Sequence, residues 1–325
     1  MKTWTKLAWA AGLAAGLMPA IASAKSDWPT KPVQIIVPYA PGGTSDTLGR
    51  IAAQGLTEKL GQQFNVENRP GAAGTVGSST VAASKPDGYS LVVSGVGSHA
   101  ISPAINATVD FDPLNDFRHI VVFGGPPSVL VVNPSLGVKT LAEFVELLKT
   151  TDEPVSYASP GAGSQGHLVG EYFKTLAGVE MEHIPYRGAG ATIADIMSGV
   201  IQVGSVTLSS AAPQIEAGNF VPLAVTSAER VQAFPDIPTF AESGYPDLVA
   251  TTWFGLSGPK DLPDDIALKI NETVTEYLQT DAIKAKLEQD SITFKPMTLD
   301  EATGFFKEEI DRWGPVAKGS GAQIQ

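Results

Sequence analysis

A short β-rich stretch followed by a glycine-rich loop and a helix occurs twice in this chain, and this repeat limits the folds that the chain can adopt. The first copy is VQIIVPYAPGGTSD at residues 33–46, and the second is VSYASPGAGSQGH at residues 155–167. A glycine loop that opens a helix exposes backbone N–H groups where the helix dipole also favours negative charge. The repeat therefore predicts two α/β lobes that hold one anionic solute between them.

The first 24 residues have the features of an export signal. Lys2 and Lys6 precede an apolar stretch from Leu7 to Ile21, and Ala22-Ser23-Ala24 fits a cleavage site of small residues. The apolar stretch is shorter than the roughly 20 residues that a membrane span needs. We therefore expect cleavage after this site, a mature chain that begins at Lys25, and a periplasmic location.

Composition excludes several classes of function. The chain has no cysteine, so disulfides, thiolate metal sites and a cysteine nucleophile are ruled out. Its formal net charge of −12 argues against nucleic acid and anionic membranes as partners. No H-E-x-x-H pattern occurs, and we expect neither a metal nor a cofactor. A small anion stays compatible with the acidic chain, because local N–H dipoles can hold it.

Segments of helical periodicity alternate with short stretches rich in Val, Ile and Tyr. The stretches predict strands at residues 33–37, 64–66, 90–94, 120–123, 128–132, 155–158, 182–184, 203–207 and 221–226. Such alternation is typical of parallel α/β sheets. Thr140 with Glu143, and Thr298 with Glu301, have the spacing of capping boxes at two helix starts.

The Pro- and Gly-rich runs at residues 123–128 and 235–246 are candidate crossings between the lobes. They divide the chain into residues 25–127 (lobe one), 128–245 (lobe two), and 246–325 (the C-terminal part of lobe one with its closing helices). Two crossings permit hinge closure around a ligand. We expect the protein to act as a monomer.

Six short motifs occur in order between residues 28 and 239. They are WPTKPVQIIVPYAPGG at 28–43 with Asp46 and Arg50, VENRPGAAG at 66–74, PDGY at 86–89, Gly163-Ser164 with His167 and Glu171, IPYRG at 184–188, and PDIPT at 235–239. Together they resemble the tripartite tricarboxylate transporter receptor family, also called the Bug family of extracytoplasmic solute receptors. Each motif alone is modest, whereas six in the right order are specific.

The resemblance implies a type II periplasmic binding protein fold, with two α/β lobes and a ligand cleft between them. It also implies delivery of a small carboxylate to the membrane subunits of a transporter, and no catalysis. In the family, backbone N–H groups and ordered waters of the two glycine loops hold the carboxylate. Those loops correspond here to residues 39–46 and 159–167, with Tyr39 where many members carry Phe.

The glycine loops supply the first set of candidate ligand-binding residues, which are Tyr39, Gly42, Gly43, Thr44, Ser45, Asp46, Ser159, Gly163, Ser164 and Gln165. The glycines let the backbone approach a ligand closely. The hydroxyl groups either cap the helices or donate to the ligand. The carboxylate of Asp46 suits the first turn of a helix, and a purely structural role for it stays open.

The second set of candidates follows three other strands, because ligands of open α/β sheets bind beyond the carboxyl ends of the strands. It comprises Ser94, Ser98, His99, Arg187 and Thr207. Arg187 suits a carboxylate, with a surface salt bridge as the alternative. His99 would bind a second carboxylate if protonated, or serve as a neutral hydrogen-bonding group. If both faced the cleft, they would favour a dianion.

Two enzyme interpretations compete with the receptor. GAGSQG at 161–166 matches the G-x-G-x-x-G dinucleotide pattern, and Glu180 and Glu182 lie near the spacing of a ribose-binding acid. Ser164 loosely imitates the nucleophile elbow of a hydrolase. An exported protein has little access to NAD. The only histidines after Ser164 are His167 and His183, which are both close to it in sequence and have no obvious orienting acid. We therefore expect a receptor, with aliphatic dicarboxylates, tricarboxylates, aromatic acids and acidic amino acids all open as ligands.

Overall fold

Two five-stranded sheets organise the chain in this computed structural model, which describes residues 27–320. The strands are β1 Val33–Val37, β2 Phe64–Asn68, β3 Ser90–Gly95, β4 Phe117–Gly124, β5 Ser128–Val132, β6 Val155–Ser159, β7 Met181–Pro185, β8 Val203–Thr207, β9 Val221–Val225 and β10 Phe254–Pro259. The predicted signal segment lies outside the described residues.

Helices cover both sheets and follow the predicted apolar periodicity. They are α1 Thr44–Leu60, α2 Thr75–Ala82, α3 Ser102–Ile105, α4 Leu141–Thr150, α5 Gln165–Ala177, α6 Ala189–Ser198, α7 Leu208–Glu216, α8 Asp264–Leu278, α9 Asp281–Gln289 and α10 Leu299–Gly319. The capping box at Thr298 and Glu301 is confirmed, since each side chain accepts a hydrogen bond from the backbone N–H of the other residue. At the start of α4, the Thr140 side chain accepts from the Glu143 N–H. Among the described residues, no helix is long and apolar enough to span a membrane.

The first sheet has the strand order β2-β1-β3-β10-β4, and we call it, with its helices, lobe one. The second sheet has the order β7-β6-β8-β5-β9 and forms lobe two with its helices. Both sheets are mixed. The predicted parallel pairing is confirmed for β1 with β2 and β3 and for β6 with β7 and β8, and it is wrong for β5 and β10. The antiparallel strands β5 and β10 are those that the chain enters directly after passing from one lobe to the other.

Strand β10 was not predicted from the sequence. Its residues FGLSGP contain two glycines and a proline, which are depleted in strands. Glycine is required there by packing, because a Cβ at Gly255 would lie 2.5 Å from the Val121 carbonyl oxygen and 2.8 Å from the Phe306 ring. Tertiary packing therefore outweighs the local preference of this segment.

The two passages between the lobes run side by side. Pro127 and Thr251 form an antiparallel bridge, and the Thr252 N–H donates to the Pro126 carbonyl at 3.2 Å. Helix α10 reinforces this region, since its Phe306 and Trp313 belong to a buried apolar cluster that extends into lobe two. A paired connection of this kind suits hinge closure. The lobe limits at residues 127/128 and 245/246 stay predictions.

Candidate functional site

A cavity of about 60 Å³ lies between the lobes, close to the paired connection. Its walls come from both glycine loops, from strand ends and from the connection itself. The lining residues are Tyr39, Gly43, Thr44, Ser45, Val96, Gly97, Ser128, Pro160, Ser164, Gln165, Gly166, Ala189, Val206, Thr207, Thr252 and Phe254.

Four of the described helices begin at this cavity. Helix α1 begins at Thr44, α5 at Gln165 and α6 at Ala189, while Thr207 is the N-cap of α7. The N–H groups in the first turn of a helix have no acceptor within that helix, and the helix dipole places partial positive charge there. Helices α1, α6 and α7 also lack a side-chain cap. The cavity is therefore a site where positive dipole ends from both lobes converge.

The side chains around the cavity are uncharged. No Lys, Arg, His, Asp or Glu of the described chain lines it. The chain as a whole is acidic, with a formal net charge of −12. Attraction for an anion must therefore come from N–H groups and hydroxyl groups of the residues that line the cavity, whose dipoles act more strongly inside a protein than in water.

Asp46, the last residue of the first glycine loop, stabilises the conformation of this loop. Its carboxylate accepts hydrogen bonds from the Gly42 N–H at 3.1 Å, from Asn68 Nδ2 at 2.9 Å and from Arg50 Nε at 3.0 Å. Burial opposes ionisation of this carboxyl, but the bonds from Arg50, Asn68 and Gly42 outweigh burial and lower its pKa. Asp46 thus shapes the loop and does not line the cavity.

Two stacked histidines hold the second loop. His167 Nδ1 accepts from the Gly163 N–H at 3.0 Å, and the His167 ring stacks on His183 at 3.8 Å between centroids. His183 Nε2 lies 2.6 Å from Ser159 Oγ. Burial lowers the pKa of His167 to about 4 and that of His183 to about 3. Both rings are therefore neutral at pH 7, as acceptance by His167 Nδ1 requires.

The lobes touch each other at the mouth of the cavity. Thr44 Oγ1 of lobe one lies 2.7 Å from Thr207 Oγ1 and 2.7 Å from Ser209 Oγ of lobe two. The Ala40 N–H also donates to the Arg187 carbonyl at 2.9 Å. These contacts show a closed arrangement of the two lobes.

Of the residues predicted to contact the ligand, seven line the cavity: Tyr39, Gly43, Thr44, Ser45, Ser164, Gln165 and Thr207. The Tyr39 hydroxyl donates to the Ala73 carbonyl at 2.8 Å, and burial raises its pKa. Gly42 borders a neighbouring crevice with Ser209 and Ser210. Asp46, Ser159 and Gly163 belong to the loops but do not line the cavity, and they make the contacts described above. Contact between any of these residues and a ligand stays a prediction.

The remaining candidates lie elsewhere. His99 is fully buried, with Nδ1 2.9 Å from Ser98 Oγ and its ring 4.7 Å from Phe117. Ser94 is also fully buried and accepts from Ser257 Oγ at 3.0 Å. Burial lowers the pKa of His99 well below its usual value, so this ring is neutral.

Arg187 presents an exposed side chain and contributes only its carbonyl to the contact between the lobes. It does not line the cavity, and neither does His99. The argument for a dianion from two facing cations therefore has no support in this geometry.

Sequence reasoning missed several lining residues, among them Ser128, Ala189 and Thr252. Ser128 begins β5 and Thr252 lies in the second passage between the lobes. No local pattern marks them, because they reach the cavity only through the pairing of the two passages. Ala189 could have been found, since it begins a helix directly after the IPYRG motif.

Two α/β lobes joined by two passages, with a cavity at their junction, fit the predicted type II periplasmic binding protein fold. The sequence model described as "Tripartite tricarboxylate transporter family receptor" matches residues 48–321. The chain is 34% identical over 299 residues to Protein BugT of Bordetella pertussis, covering 92% of each chain. This chain therefore belongs to the tripartite tricarboxylate transporter receptor family, and the resemblance seen in its motifs is confirmed.

Solved structures agree in fold. A protein from R. palustris solved with adipate has a TM-score of 0.87 at 34% identity, covering 92% of this chain and 100% of its own. The periplasmic binding protein BugD has a TM-score of 0.87 at 27% identity, with the same coverage. MatC from Rhodopseudomonas palustris with bound malate has a TM-score of 0.85 at 27% identity, covering 89% and 100%. The predicted fold class is confirmed.

The family consists of periplasmic solute-binding receptors and not of enzymes, which confirms the prediction of a non-catalytic protein. The local geometry agrees. The Ser164 hydroxyl caps helix α5 by accepting from the His167 N–H at 3.2 Å, and His167 Nδ1 is engaged by Gly163. The glycines at residues 161–166 form the loop at the start of helix α5. Their match to the dinucleotide-binding pattern therefore reflects a similar local backbone conformation.

Proposed function

We propose that this protein is an exported periplasmic receptor, cleaved after Ala24, that captures a small organic carboxylate and delivers it to the membrane subunits of a tripartite tricarboxylate-type transporter. The observation that carries the proposal is the convergence of four helix N-termini from two lobes on a cavity without charged side chains. Such termini bind anions. The relatives solved with adipate and with malate support a carboxylate as the anion.

Binding proceeds by hinge closure. Lobe one contributes the N–H groups at the start of α1, and lobe two contributes those at the start of α5, α6 and α7. A ligand that bonds to both lobes binds the closed state more tightly than the open state and shifts the population towards it. The hydroxyl contacts of Thr44 with Thr207 and Ser209 form only on closure and stabilise the same state.

Calorimetric titration of the mature chain, residues 25–325, tests the carboxylate assignment. The titrants are di- and tricarboxylates, aromatic acids, short hydroxy acids and acidic amino acids, each paired with its methyl ester. We expect at least one acid to bind and its uncharged ester to bind at least tenfold more weakly, because the helix termini favour negative charge. Equal binding of acid and ester, or no binding by any acid, would refute the assignment.

Delivery to a transporter requires a separate measurement. Uptake of the identified acid into vesicles that contain the membrane subunits should depend on added receptor and rise with its concentration. Uptake at the same rate without the receptor would contradict the proposed partner.

A further inference from the structure

Gly190 lies within the first turn of helix α6, where glycine is a poor choice for helix stability. The helix runs from Ala189 to Ser198, and Gly190 is its second residue. Its φ lies outside the positive range, so the helix itself could hold alanine there without strain. At such a position alanine stabilises a protein relative to glycine. Something other than helix α6 therefore requires glycine at residue 190.

A side chain at residue 190 would meet the opposite lobe. A Cβ there would lie 2.4 Å from the Pro41 carbonyl oxygen, 3.6 Å from the Pro41 carbonyl carbon and 3.8 Å from the Gly42 Cα. Apart from its own helix and its chain neighbours, these are the three nearest atoms, and all belong to the first glycine loop. Contacts of a Cβ shorter than 3.0 Å are essentially absent from proteins, and a backbone carbonyl has no other rotamer to adopt. The closed lobes therefore leave room only for hydrogen at this position.

The lobes also meet backbone to backbone beside this contact. The Ala40 N–H of lobe one donates to the Arg187 carbonyl of lobe two at 2.9 Å. A Cβ at Gly188 would lie 2.9 Å from the Ala40 nitrogen. We call residues 40–43 and 187–190 together the closure seam. At this seam a hydrogen bond and two close backbone approaches join the lobes, and no side-chain bulk separates them.

The seam acts on closure and not on the ligand directly, since Gly190 does not line the cavity. With alanine at residue 190, the seam must widen by at least 0.6 Å to bring the Cβ from 2.4 Å to 3.0 Å from the Pro41 oxygen. A widening of that size along the seam would lengthen the bond between Ala40 and Arg187 from 2.9 Å to about 3.5 Å, beyond the usual range for N–H···O. A single methyl group at residue 190 therefore opposes the closed arrangement.

We propose that Gly190 determines ligand affinity by allowing the two lobes to close backbone to backbone at the closure seam. This inference rests on the proposed function, since it assumes that a bound carboxylate stabilises the closed state. Glycine at residue 190 weakens helix α6 whether the lobes are open or closed, and it permits closure. Stability of the free protein and affinity for the ligand are therefore opposed at this residue.

Gly190→Ala tests the proposal, because its two expected effects have opposite signs. Without ligand, the variant should unfold at the wild-type temperature or up to about 4 °C higher, since alanine favours the helix. The probe is whichever of adipate, malate, citrate, benzoate and glutamate binds the wild type most tightly. In calorimetric titration its affinity should fall roughly tenfold or more, because the overpacked contact exists only in the closed state. In stopped-flow measurements the loss should appear mainly as faster dissociation.

Two controls separate closure from helix stability. Gly304→Ala lies on the exposed surface of α10, where an added Cβ meets no atom of the described chain within 4 Å. It should stabilise the free protein in the same way as Gly190→Ala and keep the full affinity. Ala194→Gly, on the exposed surface of α6, should lower the unfolding midpoint by about 2–4 °C and also keep the full affinity.

The separation of the lobes gives a direct measurement of closure. Because the chain has no cysteine, spin labels at Gln54→Cys on α1 and Glu216→Cys on α7 report the distance between lobes without competing sites. At about ten times the wild-type Kd of the probe, the wild type should show mainly the short distance of closed lobes. At least half of the Gly190→Ala molecules should keep the longer, open distance.

The outcomes distinguish this inference from the proposed function. Unchanged affinity and unchanged lobe distance in Gly190→Ala would overturn the inference while the receptor function stands. Weaker binding together with a lower unfolding temperature of the free variant would also overturn it, because the loss would then come from damage to the fold. If none of the five acids binds the wild type, the proposed function itself fails, and the inference fails with it.

Discussion

Replacing Gly43 with valine tests whether closure brings the two lobes together at the first glycine loop. Gly43 has φ −99° and ψ 173°, an extended conformation that valine adopts without strain. A Cβ at this position would lie 3.3 Å from the Ala189 Cβ, in the opposite lobe. The two γ-methyl groups of valine extend farther and meet Ala189 or the cavity. The substitution therefore damages the closed state and leaves each lobe intact.

The magnitude follows from packing. Overpacking of a close contact costs about 1–3 kcal/mol. Because that cost falls only on the closed state, affinity should drop by roughly 5- to 150-fold, at about 1.4 kcal/mol for each factor of ten. In the wild type, a ligand at about 100 times its Kd adds about 2.7 kcal/mol to the free energy of unfolding. At about 2–4 °C per kcal/mol, this raises the unfolding midpoint by about 5–11 °C. At the same ligand concentration, the stabilisation of Gly43→Val should fall to about 0.3–1.8 kcal/mol, with a proportionally smaller shift.

Calorimetric titration and thermal unfolding measure the two quantities. Gly304→Val is the matched control, since Gly304 is exposed on α10 and an added Cβ there meets no atom within 4 Å. Without ligand, both variants should unfold within about 2–4 °C of the wild type, the effect of about 1 kcal/mol. Normal ligand affinity in Gly43→Val would refute the assignment of this loop to the contact between closed lobes.

Three further predictions concern the supports of the site. Thr44→Val removes the hydroxyl that meets Thr207 and Ser209, and should weaken ligand affinity by roughly 2- to 12-fold, as expected for about 0.5–1.5 kcal/mol, while Thr44→Ser should restore it. Asp46→Ala leaves the Gly42 N–H without its acceptor and removes one of the two acceptors of Asn68 Nδ2, which keeps its bond to the Tyr39 carbonyl. It should lower the free energy of unfolding by about 1–3 kcal/mol in denaturant titrations; a loss under half that would contradict its role. Burial lowers the folded-state pKa of all four histidines below 6.5. The unfolded chain therefore binds more protons, and stability should be greatest above pH 6.5 and fall steadily towards pH 4; an unfolding midpoint that does not change between pH 7 and pH 4 would disagree.

Much of the fold could be predicted from the sequence, because its strands are short Val- and Ile-rich stretches between clear helical stripes. Strands β1, β5 and β8 begin and end where the sequence predicts. Strand β10 could not be found, since its Gly255 is required by contacts with residues more than 50 positions away along the chain, Val121 and Phe306. The antiparallel direction of β5 and β10 was missed for a related reason, since it depends on how the chain passes between the lobes.

The candidate site shows a similar division. The two glycine loops could be located from local pattern, because the strand, loop and helix are consecutive in the chain. The rule that ligands bind beyond strand ends placed His99 at the correct edge of the sheet but not in the correct direction. The chain after β3 enters a π-helical turn at Gly97–Ile101, which carries His99 into the aromatic core beside Phe117. The orientation of a side chain after a strand depends on that turn, which no residue pattern announced.

A crystal structure of the mature receptor with the tightest-binding acid of the titration panel tests the central claim most directly. The account predicts the carboxylate group between the lobes, with its oxygens within hydrogen-bonding distance of N–H groups in the first turns of α1 and α5. A carboxylate held mainly by a Lys or Arg side chain, or an acid bound outside the junction of the two lobes, would contradict it.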